Sequence, residues 1–504
     1  MKRTLKIIGM VWLVLTIISV VVVKRDTYKI YGGLTEKVDH TRLTPSQEDY
    51  RIMNAKILSP QGDRFIEGQT LVVRDGIIAT IDSSAQHTDI KSYDAQGKYL
   101  IPGLIDSHVH LWYSENDLLL YIANGVTQIR EMIGETHHLQ WKEEIANGRL
   151  GPDMYVTSPR LGSFGTMEGW FMRYTQKFNN VRTAAEAQAY VRSMAEKGYD
   201  GIKIYSHLNK ESYDAISEEI IQHDLDMVGH IPWSTSWDDV YASNQNEIAH
   251  IEEVMNAFRR EYDTIEETDK AGFLQYVTKR SEAISERLIA EDISVTTTVW
   301  LTQSFIEQQR DIEQVLRDVK LAYVNPGISE WNPFIPGGLG WLPEVNRYKI
   351  PDDLSPEQRE GRLAYFDEYA KATGIILGIL SQRGVNILAG TDANLPAAVP
   401  GFSLHDELIA MQSSGMSPAE VLAAATSRPA QWLAINAGQI ARGKKANMIL
   451  LDANPLLDIS NTKQINTVFS NQRVLDRDQL DAILLAVKTA NDNSRSKDIA
   501  ELIR

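Results

Sequence analysis

Two histidines, His108 and His110, stand two positions apart at the end of a short apolar stretch. The stretch passes through a Pro-Gly turn and then has the composition of a β-strand. Side chains at positions i and i+2 of a strand point to the same side, so both imidazoles would project from one face. Two neutral imidazoles placed in this way can bind a divalent metal ion. A His-x-His pair alone is a weak signal, and two surface histidines are the alternative.

Four further polar residues fall at or near the ends of predicted strands: Lys203, His230, His250 and Asp392. Each closes or interrupts a run of apolar residues. Buried ionisable groups are costly unless they are paired or bound to a metal, so core packing explains this set poorly. The pattern therefore indicates a functional site. From the residues alone, an ion pair between Lys203 and Asp392 and a single-metal site built from the four histidines remain alternatives.

The elements that must position these residues alternate between strands and helices from Tyr99 onward. Eight strands separated by helices predict an α/β protein with a closed parallel (β/α)8 barrel of the TIM type. In such barrels the active site lies at the carboxyl ends of the strands, where the residues above are found. The predicted strands are 101–108, 125–132, 153–159, 200–206, 225–231, 247–252, 293–300 and 385–391.

Short strands with turn signals lie on both sides of the barrel segment. Residues 50–99 contain a hairpin around Asp75-Gly76, and residues 438–475 return to β character. We expect these two segments to form one small β-sandwich module. The irregular stretch 301–363 is expected to form a loop or lid over the barrel mouth. The predicted segments are an N-terminal anchor or signal (1–26), a linker (27–49), the N-terminal half of the sandwich module (50–99), the catalytic barrel (100–437), the C-terminal half of the sandwich module (438–475) and a C-terminal tail (476–504).

The composition argues against several functions. The chain of 504 residues has 51 basic and 67 acidic side chains, and a net charge of −16 is unfavourable for binding nucleic acid. The chain contains no cysteine, so a metal would need nitrogen and oxygen ligands. Neither a phosphate-binding glycine loop nor a Gly-x-Ser-x-Gly motif is present, which leaves nucleotide cofactors and a serine nucleophile without support. An oligomer remains open.

The N-terminus carries an uncharged apolar run, 7–23, with basic residues before and after it. Its length is near the short limit for crossing a bilayer. We interpret it as an uncleaved signal anchor. This predicts a membrane-anchored protein of the cell envelope, with the catalytic body exported to the periplasm or the exterior. A cleaved export signal with an atypical site and a buried helix are the alternatives.

The chain resembles the amidohydrolase superfamily of metal-dependent hydrolases from about residue 50 to residue 475. Residues 101–110 are similar to the family's first-strand motif, 200–203 to its bridging-lysine strand and 390–392 to its eighth-strand motif. The resemblance is closest to the branch of imidazolonepropionase-like enzymes and membrane-associated dipeptidases that act on acyl-proline or acyl-arginine bonds. The chain departs from the family at Asn447, where an acidic residue is common, and at Ala249, where the family often has glutamate.

The resemblance implies two divalent metal ions, with zinc as the default for an imidazole-rich site. A free lysine is a cation that would repel both ions, whereas a lysine carboxylated by carbon dioxide is an anion with one oxygen for each ion. The implied ligands are His108, His110 and Asp392 for the first ion, His230 and His250 for the second, and a carboxylated Lys203 that bridges both.

The expected reaction is hydrolysis of an amide bond in a small substrate, such as a dipeptide or an N-acyl amino acid, by a hydroxide that bridges the two ions. Asp392 would take a proton and pass it to the leaving nitrogen. Tyr205 is a candidate substrate contact, with a packed tyrosine as its alternative, and Glu252 and Glu253 are expected at a solvated helix start. A cyclic amidase, lactonase or organophosphate hydrolase would use the same site. A catalytically inactive envelope binding protein is an alternative from another class.

Overall fold

The computed structural model of the chain describes residues 22, 24–83, 90–266, 272–330 and 339–503. Residues 24–30 are helical. The strands are β1 (Tyr50–Leu58), β2 (Phe65–Arg74), β3 (Ile77–Asp82), β4 (Lys91–Asp94), β5 (Tyr99–Pro102), β6 (Leu104–Val109), β7 (Val126–Glu131), β8 (Asp153–Val156), β9 (Leu161–Gly162), β10 (Asn179–Asn180), β11 (Gly201–Ile204), β12 (Asp226–Gly229), β13 (Gln245–Ile248), β14 (Ser294–Thr296), β15 (Ile387–Leu388), β16 (Met448–Leu451), β17 (Ile465–Ser470) and β18 (Arg473–Leu475).

The helices fill most of the intervals between these strands. Short 3₁₀ helices lie at His40–Leu43, Ile220–His223, Leu321–Tyr323 and Ile459–Lys463. The α-helices are α1 (Asp117–Ala123), α2 (Thr136–Ala146), α3 (Thr166–Gln176), α4 (Ala184–Lys197), α5 (Lys210–Glu219), α6 (Trp237–Ala242), α7 (Ile251–Asp263), α8 (Phe273–Ala290), α9 (Val299–Asp318), α10 (Pro326–Ser329), α11 (Pro356–Arg383), α12 (Phe402–Ser413), α13 (Pro418–Ala424), α14 (Ser427–Trp432) and α15 (Arg477–Ser494).

Parallel strands form the centre of the molecule. One parallel sheet contains β6, β7 and β8, and a second contains β11 to β15 in chain order. Isolated parallel bridges, Thr157 with Gly201 and Val109 with Ala393, join the two sheets on both sides. The strands β6 and β7 are buried along their whole length, as expected for parallel strands covered by helices. The α/β class is confirmed, and a strand is present at each of the eight predicted places.

Most of these strands end earlier than the sequence predicts, and two of them are followed directly by an unusual turn. The prediction at 247–252 corresponds to β13, which stops at Ile248, and the prediction at 293–300 corresponds to β14, which stops at Thr296. The backbone then turns through positive φ angles, 75° at His250 and 63° at Thr298, and a helix begins at the next residue in each case. Positive φ is unfavourable for a residue with a Cβ, and such positions cluster at functional sites.

Strands from both ends of the chain share one sheet. Its order is β18-β17-β16-β5-β1-β2-β3, and β4 pairs with β1. The two ends meet where β5 pairs antiparallel with β16, with Ile101 opposite Ile449. Tyr50, Leu100 and Phe469 are buried in one apolar cluster of this sheet. The predicted sandwich packing and the predicted domain boundaries stay predictions.

The stretch 301–363, predicted to be irregular, is partly helical. It contains most of α9 and all of α10, and residues 331–338 lie outside the described part of the chain. The predicted C-terminal tail begins with α15, which packs against α1. The buried side chains of α15 include Leu480, Ile483 and Val487, which explains why this helix is held on the body of the protein.

The predicted membrane anchor requires a correction. Among the described residues, no helix is both long enough and apolar enough to cross a membrane. A membrane-spanning helix needs about 20 mostly apolar residues. The predicted membrane-anchored location in the cell envelope is therefore contradicted, and the described helices give no support for the membrane as a partner. The apolar run 7–23 itself lies, except for Val22, outside the described residues.

Candidate metal centre

His108 and His110 meet Asp392 where β6 and β15 end. The Nε2 atom of His110 lies 2.8 Å from Asp392 Oδ1, and the Nε2 atom of His108 lies 3.7 Å from the same oxygen. One ligand atom from each of the three residues falls within 4.8 Å of the other two. Two imidazole nitrogens and a carboxylate oxygen form a donor set suited to a divalent ion. The structure thus brings Asp392 to a pair of histidines that lie far from it in the sequence.

His230 and His250 continue this cluster on the other side of Asp392. The ring of His250 is centred 4.2 Å from that of His108 and 5.1 Å from that of His230. Its Nδ1 atom lies 3.9 Å from Asp392 Oδ2. Asp392 therefore presents one oxygen to the histidines of β6 and the other to His250, which is the arrangement expected of a carboxylate between two groups of imidazoles.

Lys203 projects from β11 into the same cavity as His230, His250 and Asp392. Its side chain is fully buried, and its Nζ atom has no hydrogen-bond partner. Burial lowers the pKa of Lys203 to about 8, although Glu247 and Asp392 act in the opposite direction. A buried amine without a partner is costly. An ion pair between Lys203 and Asp392, one of the alternatives that the sequence left open, is not among the ion pairs of the described residues.

Several buried nitrogens of the cluster lack partners. Both ring nitrogens of His108, Nε2 of His230 and Nζ of Lys203 make no hydrogen bond. Native structures rarely leave such atoms unsatisfied, and a bound ion is one way to satisfy them. The residues present therefore fit divalent metal ions.

The charge state of Asp392 suits both metal binding and proton transfer. Burial acts to raise the pKa of this carboxyl group, but His250, His110 and Lys203 together hold the pKa below its usual value. Asp392 is therefore ionised at neutral pH. An ionised carboxylate can be a metal ligand, and it can accept a proton from a water molecule beside it.

Two buried carboxylates that the sequence did not reveal support the histidines. Glu131, at the end of β7, accepts hydrogen bonds from the backbone N–H groups of Leu111 and Ile133 and lies 3.7 Å from His110 Nδ1. Glu253 lies 3.2 Å from His230 Nδ1. These contacts orient the rings so that the opposite nitrogens face Asp392 or the cavity. Glu131 ends a strand that also contains Thr127, Gln128 and Arg130, so no local pattern distinguished it.

The expectation of a solvated helix start at Glu252 and Glu253 is corrected. Glu253 is buried and accepts a hydrogen bond from the backbone N–H of Ile231. Glu252 lines the cavity and accepts a hydrogen bond of 3.0 Å from the Tyr369 hydroxyl, and burial raises its pKa to about 7. Helix α7 starts inside the protein, so its first turn faces the cluster instead of solvent.

The cavity beside the cluster has a volume of about 200 Å³. Tyr205, the predicted substrate contact, lies in its wall and stacks on His230 with ring centres 4.0 Å apart. Phe305, Arg347 and Tyr348 also line the wall, and they belong to the stretch 301–363 that the sequence analysis expected over the barrel mouth. Tyr31 and Arg160 complete the wall from regions that the sequence did not single out. A wider cleft of about 1140 Å³ lies elsewhere, beside Asp153 and Asp200, and none of the six predicted ligands lines it.

Comparison with protein families identifies one match. The model described as the amidohydrolase family matches residues 99–475, which confirms the resemblance. Among curated proteins, the imidazolonepropionase of Pseudoalteromonas atlantica is 23% identical over 177 residues, covering 32% of this chain and 43% of that protein. Adenine deaminase 3 of Rhizobium johnstonii is 28% identical over 102 residues, covering 19% of this chain and 17% of that protein. The matched segments span less than half the length of these relatives.

Solved structures share the fold over most of the chain. A bottromycin amidohydrolase superimposes with a TM-score of 0.68 at 20% identity, covering 92% of this chain and 96% of that one. A Xaa-Pro dipeptidase with bound methionine in its active site gives a TM-score of 0.60 at 16% identity, covering 85% and 100%. At these identities the likeness shows a common fold.

Proposed function

We propose, from the premise that the chain belongs to the amidohydrolase family, that it hydrolyses an amide bond of a small substrate such as a dipeptide or an N-acyl amino acid. The observation that carries the proposal is the gathering of four histidines, Lys203 and Asp392 around one small buried cavity. Two structural neighbours, a Xaa-Pro dipeptidase and a bottromycin amidohydrolase, are named as enzymes of amide bonds, which supports an amide substrate.

Two divalent ions, with zinc favoured by the imidazole ligands, complete the proposed site. The nitrogens of His108, His230 and Lys203 that lack hydrogen-bond partners support this proposed metal site. Neutral Lys203 Nζ forms a bond to the carbon of carbon dioxide and loses a proton, which gives an anion with two oxygens. When bound, the ions lower the pKa of a water molecule toward 7 and polarise the carbonyl group. The proposed ligands are His108, His110 and Asp392 for one ion, His230 and His250 for the other, and carboxylated Lys203 between them.

Asp392 is the proposed acid–base residue. Its ionised carboxylate accepts a proton from the attacking water and then donates that proton to the leaving nitrogen, so that the amine departs in neutral form. Glu131 and Glu253 act as positioning residues, because they contact His110 and His230 on the side away from the cavity. Tyr205 contacts the substrate from the cavity wall, beside His230.

The predicted architecture belongs to the same proposal. We infer that the two parallel sheets close into one (β/α)8 barrel, supported by backbone hydrogen bonds of 2.8 Å from Ser107 N–H to Ala389 O and from Ser158 N–H to Gly201 O. We also infer that the sheet built from both chain ends folds as a sandwich module. Register shifts in β1, on either side of Ala55, bend the strand in the way that such packing requires.

The test is an activity screen of the purified, zinc-loaded protein on dipeptides and N-acyl amino acids, with lactones and a phosphotriester in parallel. We expect amide hydrolysis that disappears on treatment with a chelator and returns on addition of zinc. The surface variant Asp367→Asn, which lies on α11 outside the cavity, should match the wild type. Preference for a lactone or phosphotriester, or metal-loaded protein without amide hydrolysis, would overturn the proposal.

A further inference from the structure

A portion of the cavity wall comes from outside the segment that matches the family. Residues 24–35, here called the N-terminal segment, precede the matched residues 99–475. Ile30 and Tyr31 of this segment line the cavity that contains Lys203 and Asp392. The Tyr31 ring stacks on Trp112, with ring centres 4.5 Å apart and planes at 22°. The ring of Trp112 in turn lies 5.6 Å from that of His110. The ring of Trp112 therefore contacts both Tyr31 and His110, one of the candidate metal ligands.

The N-terminal segment is held firmly in this position. The backbone N–H of Tyr113 donates to Tyr31 O at 3.0 Å. The buried Asn325 amide donates to Gly32 O at 3.2 Å, and the Thr35 hydroxyl donates to the Asn325 side-chain oxygen at 2.6 Å. Gly32 has a φ angle of 89°, and a Cβ there would lie 2.6 Å from Asn325 Nδ2. The close fit fixes the Tyr31 ring at the cavity wall.

Arg160 occupies the same side of the cavity. Its guanidinium carbon lies 5.7 Å from the centre of the Trp112 ring and 5.6 Å from that of Tyr205. One nitrogen donates to Gln176 O at 2.6 Å, whereas Nε is buried without a hydrogen-bond partner. No carboxylate forms an ion pair with Arg160 within the part of the chain that the structure describes. The guanidinium also interacts with the side chains of Tyr31 and Tyr205, so this cation lies beside both phenols at the cavity wall.

We propose that Tyr31 is a specificity-determining residue that, together with Arg160, binds the free carboxylate of the substrate. A guanidinium and a phenolic hydroxyl are strong donors to a carboxylate, and charge-assisted hydrogen bonds of this kind favour an acid over the corresponding amide. Burial raises the pKa of Tyr31, although Arg160 opposes this, so the hydroxyl stays protonated and can donate. The inference rests on the proposed function and narrows the substrate class to amides that carry a free carboxylate away from the bond that is hydrolysed.

The test compares N-acetyl-L-alanine with N-acetyl-L-alaninamide, which differ only at the carboxyl end and suit a small cavity. Acetate release gives kcat/KM for each compound. We expect the zinc-loaded wild type to prefer the acid by about tenfold or more, and Tyr31→Phe to lose about tenfold on the acid and little on the amide, the cost of one hydrogen bond to a charged group. Tyr31→Phe keeps the ring on Trp112, so the fold is preserved. Leu34→Ala, an exposed position of the same segment, is the matched control and should behave as the wild type.

Failure of this inference is distinguishable from failure of the proposed function. If neither compound is hydrolysed, the two serve as non-reacting ligands in calorimetric titrations of the zinc-loaded protein. Tighter binding of the acid by the wild type, by about tenfold, and loss of that difference in Tyr31→Phe would support the inference. Equal use or equal binding of acid and amide by the wild type, or an unchanged ratio in Tyr31→Phe, would overturn it.

Discussion

Arg130 and Glu247 form an ion pair inside the protein, with 3.3 Å between Arg130 Nη2 and Glu247 Oε2 and no solvent exposure of either side chain. Arg130 lies on β7 of one parallel sheet and Glu247 on β13 of the other, so the pair links the two sheets. The guanidinium also lies 4.1 Å from the centre of the Trp432 ring. The charge of Glu247 also acts on Lys203, so the same carboxylate contributes to the contact between the two sheets and to the candidate metal centre.

Glu247→Ala should destabilise the fold strongly. The variant leaves the Arg130 charge buried without its partner, and breaking a buried pair in this way costs about 3–5 kcal/mol in the free energy of unfolding. Urea denaturation followed by intrinsic fluorescence measures the effect. The matched control is Arg383→Ala, which breaks the half-exposed pair with Glu282 and should cost less than about 1 kcal/mol. Similar costs for the two variants would contradict the structural role of the Arg130–Glu247 pair.

Asp392→Asn should separate proton transfer from metal binding. The amide retains an oxygen ligand but cannot shuttle a proton, so kcat should fall about 10²- to 10⁴-fold while the fold and most of the bound metal remain. Steady-state kinetics and metal analysis of the same preparation measure both quantities. A variant with full metal content and near wild-type turnover would rule out Asp392 as the proton shuttle.

Glu253→Gln should weaken metal binding more than it weakens turnover of the loaded enzyme. The change removes the negative charge beside His230 Nδ1, and loss of such a partner lowers metal affinity about 10- to 100-fold. Competition with a chelator measures the affinity, and kcat at saturating metal is the second readout. Glu286→Gln, at an exposed position of α8, is the control. An unchanged metal affinity in Glu253→Gln would show that Glu253 does not position the ligand.

Glu407 should give the stability a defined pH dependence. Its carboxylate accepts hydrogen bonds from the backbone N–H groups of Val299 and Trp300, but burial raises its pKa from 4.5 to about 7. Between about pH 4.5 and 7 the carboxyl group of Glu407 therefore keeps its proton in the folded state but loses it in the unfolded state. The contribution of Glu407 to stability consequently falls as the pH rises through this range.

Glu407→Gln cannot lose this proton. The unfolding free energy of the variant minus that of the wild type should therefore increase by about 1–3 kcal/mol when the pH is raised from about 5 to about 8. Urea denaturation at the two pH values measures the difference. An offset between variant and wild type that is the same at both pH values would contradict the raised pKa.

The sequence predicted the features of the site that short motifs specify. His108 and His110 follow from strand periodicity, and Lys203 and Asp392 stand out because charged residues interrupt or end apolar strands. The parallel strands were found in order, since strand-like segments alternate with helical segments along this part of the chain. The structure brings Asp392 to His108 and His110 and gathers the remaining predicted ligands near them.

The features that were missed depend on contacts between distant segments. Glu253 looked like a solvent-facing residue because its role follows from the turn at His250, whose positive φ angle aims the first turn of α7 inward. Tyr31 and Arg160 reach the cavity through loops whose paths no local pattern specifies. The predicted membrane anchor was inferred from the length of one apolar run and the basic residues beside it, and it is contradicted because no helix among the described residues is long and apolar enough to cross a membrane.

The central claim is that six side chains hold a pair of divalent ions, and metal analysis of the purified chain tests it most directly. After incubation with zinc and bicarbonate and removal of loosely bound ions, mass spectrometric analysis should find two zinc ions per wild-type chain. The double variant His230→Ala, His250→Ala should retain fewer. Wild-type protein that is folded but binds no zinc under these conditions would contradict the account.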